Sequence, residues 1–206
     1  MTPGAGKTDE RNIIIIEGGN YSGKSIFMDD LKKIFTGSTV IEIHDYYHKQ
    51  EMRYRGHIST SLEDLISYNM RRINRFVNHM EEDALDTFLV ERMHGTDYVY
   101  KRLLYGVDNF DVYRDIEERL NSLDTSMVLL TVDDDVLEQR MKSTKKIRRT
   151  KDKSTTPLHI IKLDELIKKR DMYLDFYTKS QISKKILVQS TNNTDNFEVI
   201  SELKRL

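Results

Sequence analysis

Residues Gly18-Gly19-Asn20-Tyr21-Ser22-Gly23-Lys24-Ser25 have the spacing G-x4-G-K-[ST] and follow directly on the apolar run Ile13-Ile14-Ile15-Ile16-Glu17. A glycine-rich turn delivered by a buried strand wraps its backbone N–H groups round phosphates, and the helix that follows aims its positive N-terminus at them. The pattern therefore predicts a phosphate loop made of Gly18, Gly19, Asn20, Tyr21, Ser22, Gly23, Lys24, Ser25 and the adjoining Ile26. Lys24 is placed to reach the β- and γ-phosphates of ATP, and Ser25 to hold Mg2+. Ile26, Phe27, Leu31 and Ile34 recur at helical spacing, a context that separates the motif from an ordinary strand-to-helix turn. A second string, Pro3-Gly4-Ala5-Gly6-Lys7-Thr8, lacks the first glycine and a preceding strand, so it reads as a decoy within a polar tail, residues 1–11.

Further chemistry is expected where other apolar runs end. Leu89-Val90-Glu91-Arg92 puts a carboxylate and a guanidinium at a strand end. Glu91 is a second candidate for Mg2+, and Arg92 for a transferring or acceptor phosphate. After Val40-Ile41-Glu42-Ile43 comes His44-Asp45-Tyr46-Tyr47-His48, where Asp45 is the candidate general base for a hydroxyl acceptor, or equally an Asx-turn or helix cap. His44 and His48 have metal-ligand spacing but no evident third ligand. Between Lys142 and Lys153 seven basic residues face a single aspartate, Asp152. A basic lid over about residues 142–157 is expected, with Arg140, Arg148 and Arg149 touching ATP phosphates; a solvated loop or a nucleic-acid contact are the other readings.

These residues need a frame. Short, nearly continuous apolar runs at 12–17, 39–44, 87–91, 127–132 and 186–189 read as strands buried on both faces. Helical patterns lie between them at 24–35, 62–80, 112–123, 136–142 and 160–177. Alternation of this kind predicts a three-layer α/β domain with a parallel sheet and its ligand at the carboxyl ends of the strands. Leu62, Leu65, Ile66, Met70, Ile73, Phe76, Val77 and Met80 form one apolar stripe, expected to pack in the core or, alternatively, at a homodimer surface. Arg71, Arg72 and Arg75 on the same helix read as a solvated face, or, alternatively, one of them reaches the acceptor site.

At 206 residues the chain fits one domain, residues 12–206, with a lid. The absence of cysteine excludes disulfides, thiolate zinc sites and a cysteine nucleophile. With a net charge of −1, no global field draws the chain to nucleic acid or anionic membrane. There is no membrane-length apolar stretch or signal pattern, and a cytoplasmic protein is expected.

Taken together, the chain resembles the thymidylate kinase and deoxynucleoside kinase group of phosphate-loop kinases, from about Asn12 to Leu206. The segment Glu17 to Ser25 is similar to the group's E-G-x-x-x-S-G-K-S/T loop. Glu91-Arg92 looks like its Asp/Glu-Arg pair, in the glutamate form more typical of deoxynucleoside kinases. Val99-Tyr100 with Tyr105-Gly106 is similar to a V-Y…G stretch of thymidylate-kinase-like proteins, and Leu137-Glu138-Gln139-Arg140 resembles the arginine-bearing helix before the lid. The resemblance implies the phosphate-loop NTPase fold, a five-stranded parallel sheet of order 2-3-1-4-5, often dimeric. It also implies ATP and Mg2+ as cofactors, and a pyrimidine deoxynucleoside or its monophosphate as acceptor. A Phe-Pro element after the second strand is missing, and residues 49–57 match neither subgroup.

A monophosphate acceptor would call on cations such as Arg92, Arg53 or Arg55, a nucleoside on Asp45. The expected activity is phosphoryl transfer to a thymidylate-like monophosphate. The alternatives are a deoxynucleoside kinase, a DNA-modifying kinase acting on a hydroxymethylated pyrimidine or an end within DNA, and a non-catalytic nucleotide-binding module.

Overall fold

The computed structural model describes residues 12–43, 61–83, 87–151, 162–191 and 196–205, with the side chains of 144–151 excepted. The N-terminal tail, His44, Asp45, Tyr46, Tyr47, His48, Arg53, Arg55 and the lid beyond residue 151 lie outside the described residues.

Five parallel strands, β1 (Ile13–Gly18), β2 (Thr39–Glu42), β3 (Phe88–Glu91), β4 (Thr125–Thr131) and β5 (Lys184–Gln189), form one sheet of order β2-β3-β1-β4-β5. Seven α-helices among the described residues flank it: α1 (Lys24–Ile34), α2 (Leu62–Glu82), α3 (His94–Tyr105), α4 (Arg114–Ser122), α5 (Asp134–Lys151), α6 (Leu163–Lys179) and α7 (Asn196–Leu203). This is the order the resemblance implies.

The central strand explains why four isoleucines stand in a row. Successive side chains of a strand point to opposite faces, so Ile13 and Ile15 enter the core under α2, α3, α4 and α6, while Ile14 and Ile16 enter the core under α1 and α7. All four are essentially inaccessible, which stabilises the fold by about 2 kcal/mol each. The α2 stripe packs in the first of these cores. Leu65, Ile73, Val77 and Met80 are buried, and Met70 and Phe76 pack against the cluster. Arg71 and Arg75 are exposed, whereas Arg72 is half-buried and lies over the rings of Tyr68 and Phe76.

Two helices were not expected from the periodicity. In α3, every residue from His94 to Lys101 is buried, so no polar face marks the turn of the helix. α7 is short, at eight residues. Another difference concerns the basic stretch: α5 continues to Lys151, so residues 142–151 extend a helix where a lid loop was expected to begin. Lysine and arginine are good helix formers, and neither Gly nor Pro interrupts them there.

Candidate active site

The loop after β1 is shaped by glycines at two points. Gly18 has φ +142°, and a Cβ there would stand 2.4 Å from the Leu130 carbonyl oxygen of β4. Gly23, at φ +95°, is the residue from which α1 starts. Between them Tyr21 takes a left-handed conformation, φ 64°. Strain of that kind persists only where the surroundings hold it. Here Arg140 of α5 supplies a hold: it donates to the Tyr21 carbonyl (2.9 Å), and also to Ser190 Oγ (3.1 Å) and the Thr191 carbonyl (2.6 Å) beyond β5. Arg140 thus ties the loop to the β5 end of the sheet, a job the sequence reading did not assign it.

Lys24, the first residue of α1, is buried and turns back over the loop, donating to the Gly19 carbonyl at 2.7 Å, with Ser22 Oγ at 3.4 Å. Ser22 itself donates to the same carbonyl at 3.0 Å. Burial, then the positive charge of Arg92, lowers the Lys24 pKa to about 7, against the pull of Glu91 and Glu17. Ser25 and Ile26 sit exposed on the first turn of α1.

On the other side of β1, Glu91 ends β3 as a buried carboxylate and accepts from Arg92 Nε at 3.3 Å. The Arg92 backbone is left-handed (φ 68°) and its amide donates to the Ile16 carbonyl at 2.9 Å. Three segments far apart in sequence thereby converge: the phosphate loop, the β3 end and α5. The structure brings Gly18–Ser25, Glu91, Arg92 and Arg140 to the carboxyl edge of the sheet. Arg148 and Arg149 lie on α5, their side chains outside the described residues, and Asp45 is also outside them.

Several residues that the sequence reading gave no role complete the site. Glu17, fully buried at the end of β1, accepts from the Met93 amide (2.8 Å), the Thr96 amide (3.2 Å) and the Thr96 hydroxyl. A carboxylate on the first amides of α3 satisfies donors that a helix start leaves open and sits well in the helix dipole. Tyr173 of α6 donates to Thr96 Oγ1 at 2.8 Å, and burial, then the Glu17 charge, holds its phenol well above the ordinary value. Lys169 of α6 donates to Asn20 Oδ1 at 3.1 Å and to the Tyr100 hydroxyl. The signal for Glu17 was a carboxylate closing an all-apolar strand; for Lys169, a cation in phase with apolar neighbours.

Magnesium was expected on Ser25 and Glu91. Among the described residues no cluster of three or more ligating side chains exists. An exposed hydroxyl and a strand-end carboxylate suit an ion that takes its remaining oxygens from nucleotide phosphates and water, as Mg2+ does. A concavity of about 440 Å3 on the outer side of α6, lined by Arg102, Asp164, Ile167, Lys168, Asp171, Met172 and Asp175, contains none of the expected site residues.

No protein-family model and no curated protein sequence matches the chain. Solved structures do. The YorR protein of Bacillus subtilis, in complex with phosphorylated GDP, is similar with a TM-score of 0.62 at 17% identity, over 94% of each chain. Thymidylate kinase from Candida albicans is similar with a TM-score of 0.57 at 16% identity, over 95% of this chain and 90% of that one. Deoxyadenosine kinase from M. mycoides with bound dATP reaches 0.58 at 14% identity, over 93% and 99%. The chain therefore has the fold of the phosphate-loop kinases along nearly all its length.

Proposed function

We propose that this protein is an ATP- and Mg2+-dependent kinase that transfers the γ-phosphoryl group to a deoxynucleoside monophosphate of the thymidylate kind. The observation that carries the reading is the placement of buried Lys24 on a glycine-shaped loop beside the Glu91–Arg92 pair. Phosphoryl transfer asks little covalent chemistry of a protein; positioning and charge neutralisation do most of it. The loop amides and Lys24 hold the donor phosphates, and Arg140 keeps the loop in shape from the β5 side. Arg92 stands on the β3 side, where an acceptor phosphate would meet it. An acceptor oxygen attacks the γ-phosphorus, the bond to the bridging oxygen breaks, and ADP leaves with that electron pair. Bound between Ser25, Glu91 and the phosphates, Mg2+ would offset the charge shared by donor and leaving group. Arg148 and Arg149 are proposed to close over the phosphates from α5.

A monophosphate is already an oxyanion and asks for cations more than for a base. Arg92 is such a cation, and this favours the monophosphate over the nucleoside. Similarity in fold to thymidylate kinase and deoxyadenosine kinase supports a nucleotide or nucleoside acceptor in general.

The test is ATP consumption with Mg2+ against deoxynucleosides, their 5′-monophosphates, and single- and double-stranded DNA carrying normal or hydroxymethylated pyrimidines. Turnover with a free monophosphate is expected. Turnover with nucleosides alone would transfer the acceptor role to Asp45, and turnover with DNA alone would make the protein a DNA-modifying kinase. Lys24→Ala should lower kcat about 100-fold or more with the fold intact, the scale of losing a charge-stabilising donor; near-normal turnover would refute the assignment.

A further inference from the structure

Helix α3 has no cap of its own. Its N-cap is Met93, whose side chain makes no capping hydrogen bond, and methionine is not among the residues that cap well, which are Ser, Thr, Asp and Asn. In a capping box a helix closes its own first turn: the N-cap side chain takes the amide three residues on, and that residue's side chain takes the N-cap amide. In α3 the same two donors, the Met93 and Thr96 amides, both go to one carboxylate of another element. They donate to Glu17 Oε1 at 2.8 and 3.2 Å, and the Thr96 hydroxyl donates to Glu17 Oε2. An N-cap serine or aspartate would have served stability alone. A cap supplied from the end of β1 does something more, because the start of α3 must then follow β1.

What this cap fixes in place is Arg92. The residue links the end of β3 to α3, and its backbone is left-handed at φ 68°, a conformation uncommon for a residue with a side chain and sustained only by its surroundings. Two consecutive residues of β1 hold it. Its own amide donates to the Ile16 carbonyl at 2.9 Å, and the next amide along the chain, that of Met93, donates to Glu17. Gly18, the first residue of the phosphate loop, follows Glu17 directly. One short piece of backbone, residues 16–18, therefore carries the loop and both fastenings of Arg92, whose charge is felt at Lys24. From the far side Tyr173 of α6 donates to Thr96 Oγ1 at 2.8 Å and braces the cap. The negative charge of Glu17 also acts on Lys24, an influence that has to be told apart from the fastening.

We propose that Glu17 is a positioning residue for phosphoryl transfer: by supplying the cap of α3 it holds Arg92 at a set place beside the phosphate loop. The inference rests on the kinase reading for what Arg92 meets there, the transferring or the acceptor phosphate.

The test is a double-mutant cycle. Glu17→Gln keeps the size and one carbonyl oxygen but loses the charge and the second acceptor. Turnover is measured for the wild-type protein, Glu17→Gln, Arg92→Ala and the double variant, each well below its Tm, with MgATP and the four common deoxynucleosides and their 5′-monophosphates as acceptors. Glu17→Gln should lower kcat about tenfold or more while KM for ATP changes less than about twofold, as displacement of one group in a site does. Beside Arg92→Ala the same substitution should cost less than about twofold, because the group that Glu17 positions is gone. Losses that multiply in the double variant overturn the proposal, since Glu17 would then act on Lys24 by its charge or on the fold at large. An unchanged kcat in Glu17→Gln overturns it too, whatever happens to Tm. Should Glu17→Gln fail to fold, Thr96→Val enters the same cycle. It removes one of the three hydrogen bonds to Glu17 and leaves the charge in place, so a loss of about threefold or more is expected, again vanishing beside Arg92→Ala. A wild-type protein that phosphorylates none of these acceptors defeats the kinase reading and this proposal with it; phosphorylation with losses that multiply defeats the role of Glu17 alone.

Discussion

Lys24 is held at a pKa of about 7 by burial and by Arg92, so near neutral pH a sizeable share of the molecules carry it uncharged. Phosphates brought beside it stabilise the ammonium and raise that pKa. MgATP binding should therefore take up protons near pH 7, with the uptake fading toward pH 6, where the lysine is already charged. Affinity should weaken as the pH climbs above about 7, because each binding event must then recruit a proton. Calorimetry in buffers of different ionisation enthalpy measures the uptake directly. Lys24→Met should abolish it, and uptake that survives in that variant would assign the proton to another group. The motif revealed this lysine, but not its titration, which comes first from burial and then from the arginine that β3 brings alongside.

Helices α3 and α6 carry the half of the site that spacing did not reveal, and they meet closely at Gly95. A Cβ on Gly95 would lie 2.5 Å from Cε1 of Phe176, a ring with no exposed surface into which to swing. Gly95→Ala gains helix propensity, yet the steric conflict should win and cost about 1–3 kcal/mol. Urea denaturation would show it, and Phe176→Leu in the same chain should recover part of the loss. An unchanged midpoint in the single variant would mean that α3 and α6 separate freely. The same closeness explains what was legible. The strands were visible because apolar runs buried on both faces need no partner to be seen, and α1 because one of its faces is polar. α3 was hidden because residues 94–101 are all buried and its opening amides are held by Glu17, a residue 76 positions from Met93. Glu91 and Arg92 could be found because they are charged residues at or just beyond a strand end, and Arg140, inside α5, because the basic run that follows it marked that stretch. Lys169 and Tyr173 lie inside a helix, and only packing shows that the first turns toward the loop and the second toward Thr96 of α3.

Across the whole molecule, paired carboxylates hold elements together and should set the acid limit of stability. Glu117 of α4 accepts from the Gln181 amide at 2.7 Å and pairs with His94 Nε2 at 3.0 Å, linking α4, α3 and the approach to β5. Burial pushes its pKa up, but the His94 hydrogen bond and charge and the Gln181 amide prevail and hold it below the usual value. Asp108 and Asp175, bound to Tyr98 and Lys179, are likewise lowered. A lowered carboxylate stabilises the fold above its unfolded-state pKa, and that contribution disappears as the pH falls through the folded-state value. Urea midpoints should therefore drop below about pH 4.5, the region of ordinary glutamate titration, and Glu117→Gln should flatten the drop; an equally steep fall in that variant would acquit Glu117.

The central strand poses a problem of its own during assembly. Four identical isoleucines let β1 slide by one residue against β3 and β4 and still offer each core a matching side chain, so hydrophobicity alone barely distinguishes the right alignment from its neighbours. Glu17 breaks that degeneracy. In the native alignment its carboxylate meets the Met93 and Thr96 amides; one step away it would be buried without them. The residue that opens α3 is also the proofreading mark of the sheet, and it ensures that the phosphate loop, which starts one residue later, emerges at the correct height.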